Sequence, residues 1–306
     1  MKARIIKSHL SKVFNDYLAS IDDAEVKQAI QQGTIITGGC IASLLLKERP
    51  NDYDIYFKDK ETCLKVADYY VNKFNENLPE KFSNDPKRNY SAEVRLNPRD
   101  ETRVEVFIKS SGIASDEESE DYEYFESQPD ETITEAYVDD LMPSECANSS
   151  GPKYRPVFLS TNAITLSNDI QLILRFYGQP QEIHDNYDFV HCTSFWTSWN
   201  KHLELPPAAL EALLAKELIY VGSKYPIASL IRIRKFLKRD FTITAGQILK
   251  ICMTLQEFDL TDPYVLQDQL TGVDVAYFNE ILHKLKERDP DKIDTTYLME
   301  IIDRMF

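Results

Sequence analysis

The stretch that decides the fold is Gly38-Gly39-Cys40-Ile41-Ala42-Ser43-Leu44-Leu45-Leu46-Lys47-Glu48-Arg49-Pro50-Asn51-Asp52-Tyr53-Asp54-Ile55-Tyr56-Phe57. Just upstream, Thr34-Ile35-Ile36-Thr37 reads as a short strand. The glycine pair then turns the chain into an apolar helix over Cys40 to Lys47. Glycine lets the backbone come close to a ligand, and a helix N-terminus offers unpaired N–H groups and a positive dipole end to an anion. Asp52 and Asp54 follow in a run that reads as a strand, Asp-Tyr-Asp-Ile-Tyr-Phe. Side chains alternate along a strand, so both carboxylates point one way and Tyr53 the other. Two hard oxygen ligands on one face suit Mg²⁺ or Mn²⁺, completed by substrate phosphates.

A third carboxylate is expected on a neighbouring strand of the same sheet. Arg103-Val104-Glu105-Val106-Phe107-Ile108 alternates polar and apolar residues and puts Glu105 on the polar side. Glu93, in Ser91-Ala92-Glu93-Val94-Arg95-Leu96, is the weaker rival. Three carboxylates can hold two metals about 3.5–4 Å apart, one activating an attacking hydroxyl and one stabilising a leaving pyrophosphate. The bland alternative is an ordinary strand-to-helix turn followed by solvated strand-edge aspartates.

The joint pattern resembles the nucleotidyltransferase superfamily of DNA polymerase β. The local likeness is greatest to the head domain of CCA-adding enzymes and poly(A) polymerases, where Gly-Gly-x-x-Arg-Asp-Leu-Leu-Leu precedes Asp-x-Asp. Gly38, Gly39, Leu44, Leu45, Leu46, Asp52 and Asp54 match, while Ala42-Ser43 replaces the Arg-Asp pair. The resemblance implies an α/β, mixed-sheet nucleotidyltransferase-type head followed by an all-α C-terminal part. It also implies an NTP substrate such as ATP, with Gly38, Gly39, Cys40 and Ser43 as nucleotide contacts. Asp52, Asp54 and Glu105 would be the catalytic metal ligands, and RNA or a tRNA 3′ end the expected acceptor. A protein side chain or a small molecule is an alternative acceptor. A non-catalytic nucleotide- or partner-binding protein on the same fold is the rival class: the altered Ala42-Ser43 pair favours it slightly, and the intact Asp52, Asp54 and Glu105 disfavour it, because crowded carboxylates are costly without metal.

Two later stretches bear on this. Asn186-Tyr187-Asp188-Phe189 lacks the arginines of the family's Arg-Arg-Asp-Phe-Thr run; Lys238-Arg239-Asp240-Phe241-Thr242 matches it better but comes late. Pro226 to Phe236 resembles the family's neck and carries Arg232, Arg234 and Lys235, with Lys238 and Arg239 just beyond. On a helix, Arg232 and Lys235 are i,i+3 neighbours, and Arg234 and Lys238 i,i+4 neighbours. This cluster is either a solvated helix face or a basic surface for phosphates, with Arg232 the candidate nucleotide or acceptor contact.

Composition bounds the rest. The chain has 306 residues, enough for two domains, and 43% hydrophobic residues, which is ordinary for a globular protein. The expected division is a catalytic domain over 1–200 and a helical domain over 201–306, with 112–150 an acidic insert. The net charge of −15 is concentrated: residues 112–147 hold thirteen Asp and Glu and no Lys or Arg. That block is read as a solvated segment, or as a nucleic-acid mimic that covers the basic surface, with Tyr122, Tyr124, Phe125 and Tyr137 as docking residues. No apolar run is long enough to span a membrane, and no signal-peptide core follows Met1. Five scattered cysteines without Cys-x-x-Cys spacing point to a reduced cytoplasm and no zinc site. Periodicity predicts one helical stretch over 8–32, a helix over 61–77, and strands near 91–96 and 103–109 that finish the central sheet. Short strands follow at 157–159 and 163–166, then helix or strand at 170–176. An aromatic core segment runs over 189–199, and helices cover 207–219, 226–239, 244–256, 263–270, 274–287 and 294–304.

Overall fold

The computed structural model describes residues 1–76, 90–98, 100–110, 153–260, 262, 265, 268 and 269. The acidic stretch 112–150 and the helices expected at 274–287 and 294–304 lie outside the described residues, as does most of 263–270.

The chain forms a mixed α/β layer with helices following it. Helices α1 (Ala3–Ala19) and α2 (Ala24–Gly33) lead into strand β1 (Thr34–Thr37), helix α3 (Gly39–Leu46) and strand β2 (Tyr53–Phe57). The single helical stretch expected over 8–32 is thus two helices. The break has a local cause: Asp23 caps α2, its carboxylate accepting from the backbone N–H groups of Glu25 and Val26. Helix α4 (Lys60–Glu76) follows, then β3 (Tyr90–Leu96) and β4 (Val104–Ser110). Next come β5 (Pro156–Leu159), β6 (Ala163–Leu166), β7 (Ile170–Tyr177), the short helix α5 (Pro180–His184) and a 3₁₀ turn (Val190–Cys192). Strands β8 (Phe195–Thr197) and β9 (Leu203–Glu204) precede helices α6 (Pro207–Ala215), α7 (Pro226–Leu237) and α8 (Ala245–Leu255).

The main sheet has seven strands in the order β5-β6-β7-β2-β1-β8-β9. All its pairings are antiparallel except β2 with β7. The ambiguous segment near 170 is therefore a strand; the positive φ angles of Asn168 and Asp169 turn β6 back into it as a tight hairpin. Strands β3 and β4 do not finish this sheet. Among the described residues they pair with each other, in a separate two-stranded sheet. The sheet also continues to Leu203–Glu204, past residue 200.

Alternation along the strands sorts residues onto two faces. Ile36, Ile55, Phe57, Leu172, Leu174 and Trp196 join the large core with α1, α2 and α4. Ile35, Tyr56 and Phe195 face the other way and pack with Ile183 and Tyr187. The C-terminal helices share a third core with α3 and the 3₁₀ turn, built from Ala42, Phe189, Leu213, Ile233, Phe241 and Ile251 among others. No helix of the described residues is long and apolar enough to cross a membrane.

Candidate functional site

Asp54 lies between Tyr53 and Ile55 on β2, on the Tyr56 side of the sheet. It is half-buried, while Asp52, one residue ahead of the strand, is exposed. Gly38 closes β1 and caps α3 with φ 91° and ψ −150°, a backbone shape that disfavours any side chain. A Cβ there would sit 3.2 Å from Asp54 Oδ2 and 3.3 Å from the Tyr187 hydroxyl. The glycine is thus the only residue that lets the turn press against the strand carboxylate. At Gly39 a Cβ would meet nothing within 4 Å among the described residues, so that position at the start of α3 is open. The glycine turn, the helix start and the Asp pair are brought together as the sequence predicts.

Electrostatics mark Asp54 out. Burial, and then the like charge of Asp52, push its carboxyl up to about 7, against the pull of Lys235 and Arg232. Both cations come from α7, so that helix overlooks the site. Tyr56 and Tyr187 flank it, their rings 6.2 Å apart, and burial holds both phenols protonated. Behind the turn, the Thr37 hydroxyl donates to the Ser194 carbonyl at 3.0 Å, and His184 Nε2 lies 2.8 Å from Thr37 Oγ1. Burial lowers the His184 imidazole to about 4, so it is a neutral donor to Thr37 in this arrangement.

Other expected contacts are placed elsewhere. The Cys40 thiol is buried and donates to the Thr37 carbonyl at 3.6 Å. Ser43 is buried too, its hydroxyl accepting from Arg239 Nη2 at 3.3 Å. Only their backbone belongs to the α3 start. Arg232 is engaged: its guanidinium binds the Asp188 carboxylate, which also accepts from Ser229 Oγ at 2.7 Å.

Glu105 does not join Asp52 and Asp54. It sits on β4 in the two-stranded sheet, buried, accepting from Asn97 Nδ2, with Arg95 Nε 3.7 Å away. Arg95 in turn stacks over the Phe107 ring at 3.8 Å. The strands that run beside β2 are β1 and β7, and the residue level with Asp54 on β7 is Gln171. Glu93, the rival, is on β3, across from Phe107. Among the described residues no group of three His, Cys, Asp or Glu is arranged to hold a metal ion. The donor set that remains, two carboxylates two residues apart, fits a hard divalent cation whose other ligands come from a substrate. It does not supply the three-carboxylate cradle that two metals would need.

Gln171 and Tyr187 are site neighbours that sequence reading missed, while Lys235 was read only as one member of the basic cluster. Gln171 is separated from Asp54 by more than a hundred residues, and a strand register across such a distance has no local signal. His191 and Cys192 lie on a 3₁₀ turn, and neither His191 nitrogen has a partner among the described residues.

Comparison with known proteins adds the following. A family model described as Gabija anti-defense 2 family protein matches residues 8–216. A curated relative, Gabija anti-defense 2 of Bacillus phage SPbetaL7, is 22% identical over 147 residues, covering 47% of this chain and 37% of that protein. Among solved structures, a Thermotoga maritima CCA-adding enzyme complexed with tRNA is 13% identical with a TM-score of 0.40, over 96% of this chain and 50% of that one. A Bacillus stearothermophilus CCA-adding enzyme in complex with CTP is 12% identical with a TM-score of 0.32, over 81% and 47%. The chain thus spans half or less of these proteins. CCA-adding enzymes, to which the glycine turn and Asp-x-Asp pair pointed, are found among its structural neighbours and do not give it its family. By a match over more than two thirds of its length, this chain is a member of the Gabija anti-defense 2 family.

Proposed function

We propose that the chain is a nucleotidyltransferase that binds an NTP and a divalent cation at the Gly38–Asp54 site. It transfers a nucleoside monophosphate to an acceptor hydroxyl, with RNA or tRNA as the favoured acceptor. The relative's name supplies the setting, counteracting the Gabija defence. The observation that carries the reading is the close approach of the Gly38 turn to the Asp54 carboxylate, which puts an anion-binding backbone beside a cation-binding side chain.

In this reading the α3 N-terminus and Gly39 N–H hold the triphosphate, and Asp52 and Asp54 hold Mg²⁺ or Mn²⁺. When bound, the cation draws charge from the phosphate oxygens and stabilises the departing pyrophosphate. The acceptor oxygen forms its bond to the α-phosphorus as the bond to the bridging oxygen of the β-phosphate breaks. Pyrophosphate leaves with that electron pair, and the acceptor proton is lost to water. Tyr56 and Tyr187 wall the site and keep bulk water from its inner side.

The test is label transfer from each α-labelled NTP to total RNA, with the Asp52→Ala/Asp54→Ala double variant alongside. Label on RNA that disappears in the variant supports the reading; label on protein moves the acceptor to a side chain. A second reading, nucleotide binding without transfer, is favoured by Gln171 standing beside Asp54 where a further carboxylate would complete the metal cradle. It predicts an NTP-dependent rise in melting temperature with no label on any acceptor.

A further inference from the structure

Five cationic side chains, Arg232, Arg234, Lys235, Lys238 and Arg239, stand on α7 and the turn after it, and they are not equivalent. Residues 232, 235, 236 and 239 fall on one stripe of a helix with 3.6 residues per turn. The ends of the stripe are anchored. Arg232 binds Asp188, next in sequence to Tyr187, whose hydroxyl abuts Gly38. Arg239 reaches Ser43 on α3 and pairs with Glu48 at 2.5 Å. Phe236, on the far edge of the stripe, is taken up by aromatic packing, 4.7 Å from His191 and 5.6 Å from Phe189. Lys235 lies on the opposite edge, between the two anchors, and its charge reaches the Asp54 carboxyl. It is exposed and makes no hydrogen bond or ion pair among the described residues. Lys238, also exposed, lies off this stripe.

We infer that Lys235 binds the terminal phosphates of the nucleoside triphosphate, and that Arg232, already bound to Asp188, positions the helix that carries it. This rests on the triphosphate reading of the Gly38–Asp54 site. The physical reason is charge. The turn and helix end offer only partial positive charge, and the two aspartates add negative charge that one divalent cation offsets. A triphosphate therefore needs a full cation on its solvent side. Lys235 is the one cation of the stripe whose charge is not already committed to a carboxylate among the described residues. Its flexible stem and compact ammonium suit a point contact to phosphate.

The test is titration with Mg²⁺ and fluorescent ATP, ADP and AMP analogues, for wild type, Lys235→Gln, Lys235→Arg and Lys238→Gln. Lys235→Gln is expected to weaken ATP-analogue binding about tenfold, the size of one charge-assisted contact. It should affect the diphosphate less and the monophosphate little, and it should lower the salt dependence of triphosphate binding. Lys235→Arg should restore binding, and Lys238→Gln should match wild type. Equal losses for Lys235→Gln and Lys238→Gln would reduce the effect to general surface charge and overturn the inference, as would unchanged triphosphate binding in Lys235→Gln. Wild-type protein that binds none of the analogues would instead sink the triphosphate reading beneath it.

Discussion

Asp54 and Glu105 are both carboxylates on strands, both at least half-buried, and both fit a polar-face pattern, yet their surroundings are opposite. Glu105 is satisfied by Asn97 and by Arg95, which is itself stacked on Phe107. Asp54 is pressed against a glycine turn, near the like charge of Asp52, with its carboxyl pushed up to about 7. A carboxylate that the fold has already neutralised serves the fold. One left under-compensated beside a glycine turn and a helix start has the surroundings in which functional groups are found, which is the basis of the role proposed for Asp54. The contrast shows that alternation finds the polar face of a strand, but the partners decide what the residue is for.

The most forceful way to break this comparison is to exchange the two outcomes. Asp54→Ala should abolish nucleotidyl transfer, by about 10³-fold or more, since a cation ligand supplies several kcal/mol of transition-state stabilisation. Its melting temperature should stay level or rise, because the substitution removes a half-buried carboxylate next to a like charge. Glu105→Ala should do the reverse. It strands Arg95 and Asn97 and should cost about 1–3 kcal/mol of stability, with activity per folded molecule retained. Transfer measured against the folded fraction, and thermal melts of both variants, check the pair. A Glu105→Ala protein that is fully folded and inactive would return Glu105 to the catalytic site.

How much of this was legible in the sequence follows from distance along the chain. The β1–turn–α3–β2 unit spans two dozen residues, and each piece carries a local mark: alternation in the strands, paired glycines at the turn, an apolar run in the helix. It stands as read, with Asp54 and Gly38 in place. What failed depended on pairing between remote segments. The β3–β4 hairpin alternates as a sheet strand should, but nothing local says which sheet it joins. Its partner set is decided by the packing of α4, whose Asn75 side chain bonds both the N–H and the carbonyl of Ala92. Likewise Asp188 reads as part of a weakened motif, whereas in the fold it anchors Ser229 and Arg232 from forty residues away. The basic cluster of α7 was visible, but which of its members are held by carboxylates was set by distant acceptors.

The two adjacent glycines sharpen the comparison at smaller cost. Gly38→Ala forces a Cβ to within 3.2 Å of Asp54 Oδ2 and 3.3 Å of the Tyr187 hydroxyl, on a backbone with φ 91°. Strain of that kind costs about 1–3 kcal/mol. The variant should melt lower and lose nucleotide binding together. Gly39→Ala adds its Cβ to open space at the first turn of α3, where alanine favours the helix by up to about 1 kcal/mol. It should melt at or slightly above the wild-type temperature and still bind NTP more weakly, because the methyl occupies the approach to the helix N–H groups. Loss of binding without loss of stability at Gly39 separates a ligand-contacting turn from a structural one. Unaltered NTP binding in Gly39→Ala would make the open space incidental.

The smallest effect concerns His191, the buried polar group farthest in character from Asp54. It is 1% exposed and wedged among Phe189, Phe236 and Phe241, and neither ring nitrogen has a partner among the described residues. Burial first, and then the Arg239 charge, lower it to about 4, with Asp188 opposing. The unfolded chain holds this proton up to its ordinary value near 6.5, so the unfolded state is the one that binds more protons as the pH falls. The stability contribution of neutral His191 is complete above about pH 6.5 and is lost as the pH falls toward 4, by roughly 2 kcal/mol at pH 5. His184, lowered to about 4 in the same way, adds to the slope. His191→Phe keeps a ring in the cluster and removes the titration. It should leave the pH 7 melting temperature within a few degrees of wild type and make the fall between pH 7 and pH 5 shallower, while NTP binding is unchanged. A steeper fall, or lost NTP binding at neutral pH, would mean that the aromatic cluster communicates with the Asp54 site and that His191 belongs with the functional groups rather than with the core.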